Sequence, residues 1–209
     1  MPPQVTATGA RPDQVGCDAL VIGATKDRDG VSLAESGRIM DAALDGYLSE
    51  YLAAAGFRAN SGEVELVATG KRVPAQTIAV VGLGDTGSLD GASLRSAAGT
   101  VIRRLSERTA IASLLHESLE GSGAVTATVE GFLGGLYRFL PYKRDGRSAK
   151  VDTITLLAEG AEEEVERAQV VAQAIALARD LTNEPPSTLT PAMLAARARE
   201  VADVAGLDC

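Results

Sequence analysis

The sequence TIAVVGLGDTGSLDGASLRSAAGTVIRRLSERTAIASLL, residues 77–115, contains the pattern that decides the fold class. Residues 77–81 are a short run of β-branched and apolar residues, which predicts a strand. The glycine-rich residues that follow lead into a predicted helix over residues 92–106, and residues 109–115 predict a further strand. Strands that alternate with helices of more than ten residues are typical of a sheet flanked by helices. We therefore predict an α/β fold.

Apolar runs on both sides of this stretch extend the same pattern. Further strands are predicted at residues 19–22, 64–67 and 151–157, and further helices at residues 37–55, 125–140 and 161–182. Only the short segment GKRVPAQ separates the strand at 64–67 from the strand at 77–81, and its glycine and proline suit a turn. Neighbouring strands joined in this way make the predicted sheet mixed.

Two of the predicted helices have features that suggest how they pack. Gly131, Gly134 and Gly135 fall inside the helix predicted over residues 125–140, where apolar residues keep helical spacing, so we expect these glycines to allow close packing. The helix over residues 161–182 begins with three glutamates, whose charge suits the positive end of a helix dipole. We expect its apolar face to consist of Val165, Ala168, Ala172, Ile175, Ala178 and Leu181.

The length of 209 residues exceeds the usual single domain of roughly 100 to 150 residues. The consecutive prolines in NEPPSTLTP, residues 183–191, end the long helix and mark a junction. Thr190 then suits an amino cap and Pro191 a first helical position. We predict an α/β domain over residues 1–160, a linker helix over 161–183 and the start of a further domain over 184–209.

Charge and cysteine content narrow the classes of partner. The net charge of −8 and a pI of about 4.8 oppose binding to phosphate backbones or anionic lipid, so nucleic acid is an unexpected partner. There is no apolar run of the roughly 20 residues that span a bilayer and no signal peptide, so we expect no membrane association. Cys17 and Cys209 lack the spacing of a disulfide framework, which favours a reducing, cytoplasmic compartment.

Several short motifs could carry chemistry, but each has a simpler structural interpretation. VVGLGDTGS, residues 80–88, could cradle phosphate, yet it lacks a P-loop lysine and the full dinucleotide fingerprint, so a tight turn is favoured. His116, the only histidine, lies at the end of a predicted strand beside Glu117 and cannot build a metal site alone. EGAEEEVE, residues 159–166, suits a solvated helix start, and the basic YKRDGRSAK, residues 142–150, suits a solvated loop.

Two stretches together resemble the leucine aminopeptidase family of dimetal exopeptidases. EGFLGGLYRFLPYK, residues 130–143, is similar to the family's late amino-domain helix. ARDLTNEPPSTLTP, residues 178–191, is similar to the junction that opens its catalytic domain. VVGLGD at residues 80–85 and LRSAAG at residues 94–99 add to the resemblance, which covers the chain from about Cys17 onward.

The resemblance implies a macro-domain-like amino-terminal domain, followed by a long linker helix and the first residues of a catalytic domain. It also implies a parent leucyl aminopeptidase that removes amino-terminal residues from peptides, works as a homo-hexamer in the cytoplasm and holds two divalent metal ions, Mn or Zn. The family's Asn-Thr-Asp-Ala-Glu-Gly-Arg stretch, its catalytic lysine and its bicarbonate-holding arginine do not occur here. We therefore assign no catalytic, cofactor-binding or metal-binding residue and expect no activity from this chain alone.

We expect this portion to serve oligomer assembly and active-site shielding. The chain ends at Cys209, where a strand would be expected to follow the last helix, so we interpret it as a fragment of a longer enzyme. One alternative is a macro-like module that binds a nucleotide such as ADP-ribose through GLGDTGS, residues 82–88. A second alternative, an interaction protein that touches DNA, is opposed by the acidic charge.

Overall fold

The computed structural model of the chain describes residues 2–28, 30–121, 123–144 and 146–208. These residues form two compact units, the first ending at Ala172 and the second beginning at Gln173. The first unit contains the sheet and the helices packed on it, and the second unit is helical. None of the described helices combines the length and the apolar character needed to cross a bilayer.

The strands of the described residues form one sheet. They are β1 (Gln4–Ala7), β2 (Ala19–Asp27), β3 (Gly30–Leu33), β4 (Val64–Ala68), β5 (Thr77–Asp85), β6 (Ala110–Ser113) and β7 (Thr153–Leu156). The order across the sheet is β1-β7-β6-β2-β5-β4, and β3 pairs with β2 outside this row. β1, β7, β6, β2 and β5 are parallel, whereas β3 and β4 run antiparallel to β2 and β5. The prediction of a mixed sheet is confirmed.

Helices cover both faces of this sheet. These are α1 (Glu35–Ala43), α2 (Tyr47–Ala54), α3 (Gly91–Arg104), α4 (Ala124–Leu136) and the first turns of α5 (Glu162–Asn183); the remaining described helix, α6 (Pro191–Ala205), belongs to the second unit. One core cluster contains the apolar residues of α3, α4 and the first turns of α5, and the other contains those of α1 and α2. The prediction of an α/β sheet flanked by helices is therefore confirmed.

The side chains of β2 point alternately into the two core clusters. Ala19 and Val21 belong to the cluster under α3 and α4, whereas Leu20 and Ile22 belong to the cluster under α1 and α2. Successive side chains of a strand point to opposite faces, so a central strand covered on both sides must be apolar throughout. This explains why the run at residues 19–22 has no polar residue.

The single helix predicted over residues 37–55 is wrong, because the chain breaks it into α1 and α2. Asp45 and Gly46 adopt left-handed backbone conformations, with φ of 55° and 82°, which end the first helix. The break allows the Asp41 carboxylate to accept a hydrogen bond of 2.9 Å from the N–H of Ser49 in the first turn of α2. The apolar spacing is the same in one helix or two, so it could not reveal the interruption.

Two strands, β1 and β3, were not predicted, and one helix ends earlier than predicted. β1 and β3 are four residues long and contain one buried apolar residue each, too few for a recognisable pattern. α4 ends at Leu136 rather than at the predicted Leu140, because Tyr137 leaves the helical conformation. The Arg138 guanidinium donates to the carbonyl of Gly135, which satisfies one of the carbonyl groups that the helix end leaves without a partner.

The predicted close packing is confirmed for Gly131 and Gly135 of α4, which contact α3, but is wrong for Gly134. A Cβ added at Gly131 would lie 2.6 Å from the Cβ of Ala98, and one added at Gly135 would lie 2.7 Å from the carbonyl oxygen of Gly99. Distances under 3.0 Å leave no room for a side chain, so the two helices approach at backbone distance. Gly134 faces away from this contact, and a Cβ there would meet nothing within 4 Å.

The second unit contains the end of α5 and all of α6. The hydroxyl of Thr190 accepts a hydrogen bond of 3.4 Å from the N–H of Met193, and Pro191 is the first helical residue, as predicted. Of the six residues expected on the apolar face of α5, Val165, Ala168 and Ala172 are buried and lie in the first unit, whereas Ile175 is 45% exposed. The predicted division at residues 160 and 183 stays a prediction.

Candidate functional site

A cleft of about 550 Å³ lies at the carboxyl ends of the central parallel strands. Gly23 and Thr25 of β2, Thr86 after β5 and Ser118 after β6 contribute to its walls. After β2 and its antiparallel partner β3 the chain continues into α1 on one face, whereas after β5 and β6 it continues into α3 and α4 on the other face. Ligands of open α/β sheets bind at such a reversal of direction, so this cleft is the first candidate site.

The glycine-rich stretch over residues 80–88 contributes a turn to this cleft rather than a phosphate loop. β5 continues to Asp85, and residues 86–88 form a single 3-10 turn. Asp90 then caps α3, accepting a hydrogen bond of 2.8 Å from the N–H of Ser93 that lowers the pKa of the Asp90 carboxyl group. A carboxylate of the chain therefore occupies the helix end where a phosphate would bind.

A second carboxylate occupies the amino end of α1. Glu117 accepts a hydrogen bond of 3.3 Å from the N–H of Ser36, and both Glu117 and Glu120 line the cleft. Carboxylates at both helix ends oppose the binding of a phosphate-bearing ligand there. The geometry therefore gives no support to the ADP-ribose alternative. The sequence did not reveal the role of Glu117, because Ser36 lies far from it along the chain.

His116 occupies a 3-10 turn over residues 115–118, not the end of a strand. Its Nδ1 atom is buried and has no partner among the described residues. Burial lowers the pKa of the imidazole, and the nearby carboxylates of Glu117 and Glu164 oppose this shift. These surroundings favour the neutral form of the His116 imidazole.

Ser118 lies directly over Gly23 of β2. Its hydroxyl oxygen is buried without a partner among the described residues, and a Cβ at Gly23 would collide with it. Gly23 therefore permits the close approach of the turn after β6 to the central strand. No local motif around Ser118 indicated this contact.

The acidic residues at the start of α5 do not converge. Glu162 and Glu163 are exposed, whereas Glu164 accepts hydrogen bonds from the N–H and the hydroxyl of Thr126, at 3.0 and 2.8 Å, at the start of α4. Within the described ranges no group of three or more His, Cys, Asp or Glu residues is arranged to hold a metal ion. These residues therefore do not fit a pair of divalent ions, and we assign no hydrolytic step to them.

We assign no nucleophilic role to either cysteine. Burial raises the pKa of Cys17 to about 11, which keeps the thiol protonated at neutral pH. Cys209 lies outside the described residues. The described residues of the basic stretch, 142–144 and 146–150, lie between α4 and the amino-terminal end of β7, whereas the cleft lies at the carboxyl ends of the strands.

Comparison with families and curated proteins gives consistent matches. The model for "Cytosol aminopeptidase family, N-terminal domain" matches residues 21–146. A probable cytosol aminopeptidase of Nocardia farcinica is 37% identical to this chain, over 95% of the chain and 41% of the relative. One of Corynebacterium diphtheriae is 34% identical, over 91% of the chain and 38% of the relative. The chain thus spans about two fifths of the length of these relatives.

Solved structures agree with these matches. The bottromycin maturation enzyme BotP superposes with a TM-score of 0.72 and 29% identity, over 93% of this chain and 39% of BotP, and it has also been solved in complex with Mn. A mutant of tomato leucine aminopeptidase superposes with a TM-score of 0.79 over 98% of this chain and 43% of that enzyme. At 24% identity, the tomato likeness shows a shared fold.

Proposed function

The chain belongs to the cytosol aminopeptidase family, as its amino-terminal domain, and from this premise we propose that the whole protein removes amino-terminal residues from peptides. Two divalent metal ions, Mn or Zn, would activate water and polarise the peptide carbonyl in such an enzyme. The names of the curated relatives support the activity, and the complex of BotP with Mn supports the metal. The resemblance inferred from the sequence is confirmed at the level of the family.

Within that protein, the chain would contribute to oligomer assembly and shield the active site. The family match over residues 21–146 to an amino-terminal domain carries this proposal. Hydrolysis by two metal ions needs several carboxylates that converge on one site, and the described residues bring no such group together. We place the metal ligands of the whole protein outside this portion.

Three finer features belong to the same proposal. The whole protein would be a homo-hexamer, would act in the cytoplasm and would contain a linker helix over residues 161–183 between the amino-terminal domain and the catalytic domain. The name shared by the relatives supports the compartment, and the 22-residue length of α5 supports its role as a connector.

The decisive experiment measures hydrolysis of leucine p-nitroanilide with Mn²⁺ or Zn²⁺ added. We expect no turnover above buffer from the purified chain, and turnover from a protein that joins it to a family catalytic domain. Titration of the chain with Mn²⁺ should give no stoichiometric binding. Turnover by the chain alone, or two bound Mn²⁺ ions, would contradict the division of roles.

Calorimetry with ADP-ribose separates this proposal from the nucleotide-binding alternative. We expect no heat of binding, because Glu117 and Asp90 already occupy the amino ends of α1 and α3. Saturable heat of binding would favour a nucleotide module instead.

A further inference from the structure

Charge is distributed very unevenly along this acidic chain. Residues 103–108 and 138–150 together contain eight of its 20 Lys and Arg residues and two of its 28 Asp and Glu residues. The cations are Arg103, Arg104, Arg108, Arg138, Lys143, Arg144, Arg147 and Lys150. These two segments carry a net charge of +6, and the rest of the chain carries −14.

The two segments lie next to each other at the amino-terminal ends of the parallel strands. Residues 105–109 connect α3 to β6, and residues 137–152 connect α4 to β7, and these two strands are neighbours. The N–H of Lys150 donates to the carbonyl of Ser106 at 2.8 Å, and the N–H of Asp152 donates to the carbonyl of Thr109 at 2.9 Å. We call residues 103–108 and 138–150 the basic edge.

The cations of the basic edge are only partly neutralised, since Arg147 as well as Lys150 interacts with Glu107, and Arg108 interacts with Asp18. Lys150 pairs with Glu107 at 2.7 Å, and none of the other seven forms an ion pair with a described residue. Arg104, Lys143, Arg144 and Arg147 are exposed. Clustered like charges repel one another, and this chain has a surplus of carboxylates that could have neutralised them.

We infer that the basic edge is a docking surface for an acidic polypeptide segment, one rich in Asp and Glu. Arginine matches carboxylates with paired hydrogen bonds, and arginines form most of the cations here. Tyr142 adds an aromatic surface, because it is 57% exposed and its ring lies 5.9 Å from that of Phe139. Tyrosine and arginine are the residues that protein interfaces favour.

The surrounding charge favours a polypeptide over a nucleic acid. A duplex carries one negative charge per roughly 1.7 Å of its axis and would extend beyond the basic edge over a surface of the opposite sign. A short acidic peptide can place all of its carboxylates on the basic edge. It then avoids repulsion by the rest of the chain, which carries a net charge of −14. The inference is independent of the proposed hydrolytic activity, since that activity is assigned to the part of the protein outside this chain.

The test is fluorescence anisotropy with a fluorescein-labelled peptide of about ten glutamates, long enough to bridge several cations of the basic edge. The variant Lys143→Glu/Arg144→Glu reverses two exposed charges of the basic edge. The control Lys26→Glu/Arg28→Glu changes the net charge equally at the opposite edge, beside the end of β2. Circular dichroism before and after heating establishes that both variants fold.

We expect the peptide to bind at low ionic strength. The Kd should weaken about tenfold or more in Lys143→Glu/Arg144→Glu and about twofold or less in the control, since salt and distance screen charges at the far edge. Raising NaCl from about 25 to 200 mM should weaken binding by about tenfold. A lysine peptide of equal length can be attracted only by the acidic remainder of the chain, so its binding should not weaken in Lys143→Glu/Arg144→Glu.

Three results would overturn the inference. The first is absence of binding by the glutamate peptide, or equal weakening by the control variant. The second is tighter binding of a labelled DNA duplex that is abolished by the same charge reversal, which would identify a nucleic-acid surface. The third is self-association by sedimentation that depends on Lys143 and Arg144 without peptide binding, which would make a second copy of this chain the partner.

Discussion

Gly131 shows how one missing side chain determines the contact between α3 and α4. A Cβ at this position would lie 2.6 Å from the Cβ of Ala98 and would also collide with the carbonyl oxygen of Arg95. Both neighbours are fixed, one as backbone and the other as a side chain with no rotamers. The helix backbones must therefore separate before any larger residue can fit.

Replacing Gly131 with alanine is expected to lower the free energy of unfolding by about 1–3 kcal/mol, the usual cost of overpacking. The matched control is Gly134→Ala in the same helix, where nothing lies within 4 Å of the added carbon. That change should be neutral or raise stability by up to about 1 kcal/mol through helix propensity. Urea denaturation of both variants measures the difference, and equal effects would refute the close packing.

Asp18 links stability to pH at the amino end of β2. The N–H groups of Thr109 and Ala110 donate to its carboxylate at 2.8 and 3.1 Å, and these bonds hold its pKa below the usual range. A lowered pKa gives stability that is present above the unfolded pKa of about 3.9 and is lost as pH falls through the folded pKa.

The variant Asp18→Asn should therefore lose about 0.5–1 kcal/mol at pH 7, a value reduced for solvent screening. The difference from the unmodified chain should shrink as pH falls below about 4. Chemical denaturation at pH 7, 5 and 3 checks this, with Asp203→Asn, an exposed change in α6, as the control. A difference that stays constant with pH would exclude the carboxylate as its source.

Some single-residue roles could be predicted from the sequence and others could not. The packing role of Gly131 and Gly135 was predictable, because the surrounding apolar residues keep helical spacing. The contact of Glu117 with Ser36 and the position of Ser118 over Gly23 were not, because each joins residues distant in sequence. His116 was assigned to a strand end and lies in a 3-10 turn, which has no signature of its own.

One carboxylate stabilises the turn between α1 and α2. Asp41, near the end of α1, accepts the N–H of Ser49 and its hydroxyl in the first turn of α2. Asp41→Ala should lower the free energy of unfolding by about 1 kcal/mol, the usual cost of removing such a cap. Glu50→Ala, an exposed change in α2, is the control and should have little effect in thermal denaturation. Comparable losses in both variants would refute the capping role.

Element prediction succeeded where apolar patterns were long. α3 and α5 were predicted within two residues at each end, since each has several buried apolar positions at helical spacing. β2 and β5 begin as predicted but continue five and four residues beyond the predicted ends. β1 and β3 were not predicted, because each contributes only one buried apolar residue. β1 forms by pairing with β7, which is distant in sequence, and β3 by pairing with β2, which precedes it. The candidate cleft could not be predicted, since it is formed by loops that the sheet order brings together.

At the scale of the whole chain, both core clusters lie between residues 5 and 168. A chain ending at Asn183 should therefore unfold within about 3 °C of the thermal midpoint of the 209-residue chain. A change of that size corresponds to a loss of roughly 1 kcal/mol in the free energy of unfolding. A chain ending at residue 160 removes Val165 and Ala168 from the core and should lose far more. Calorimetry of both tests the proposed linker helix, and a large loss in the longer chain would contradict it.

The parallel pairing of β1 with β7 has a consequence during synthesis. Gln4–Ala7 finds its partner only after Thr153–Leu156 has left the ribosome. At about 5–20 residues per second, the nascent chain waits roughly 8–30 s for this event. Until then Gln4–Ala7 is an unpaired segment that chaperones can bind, and its pairing with β7, the last strand to be synthesised, completes the sheet.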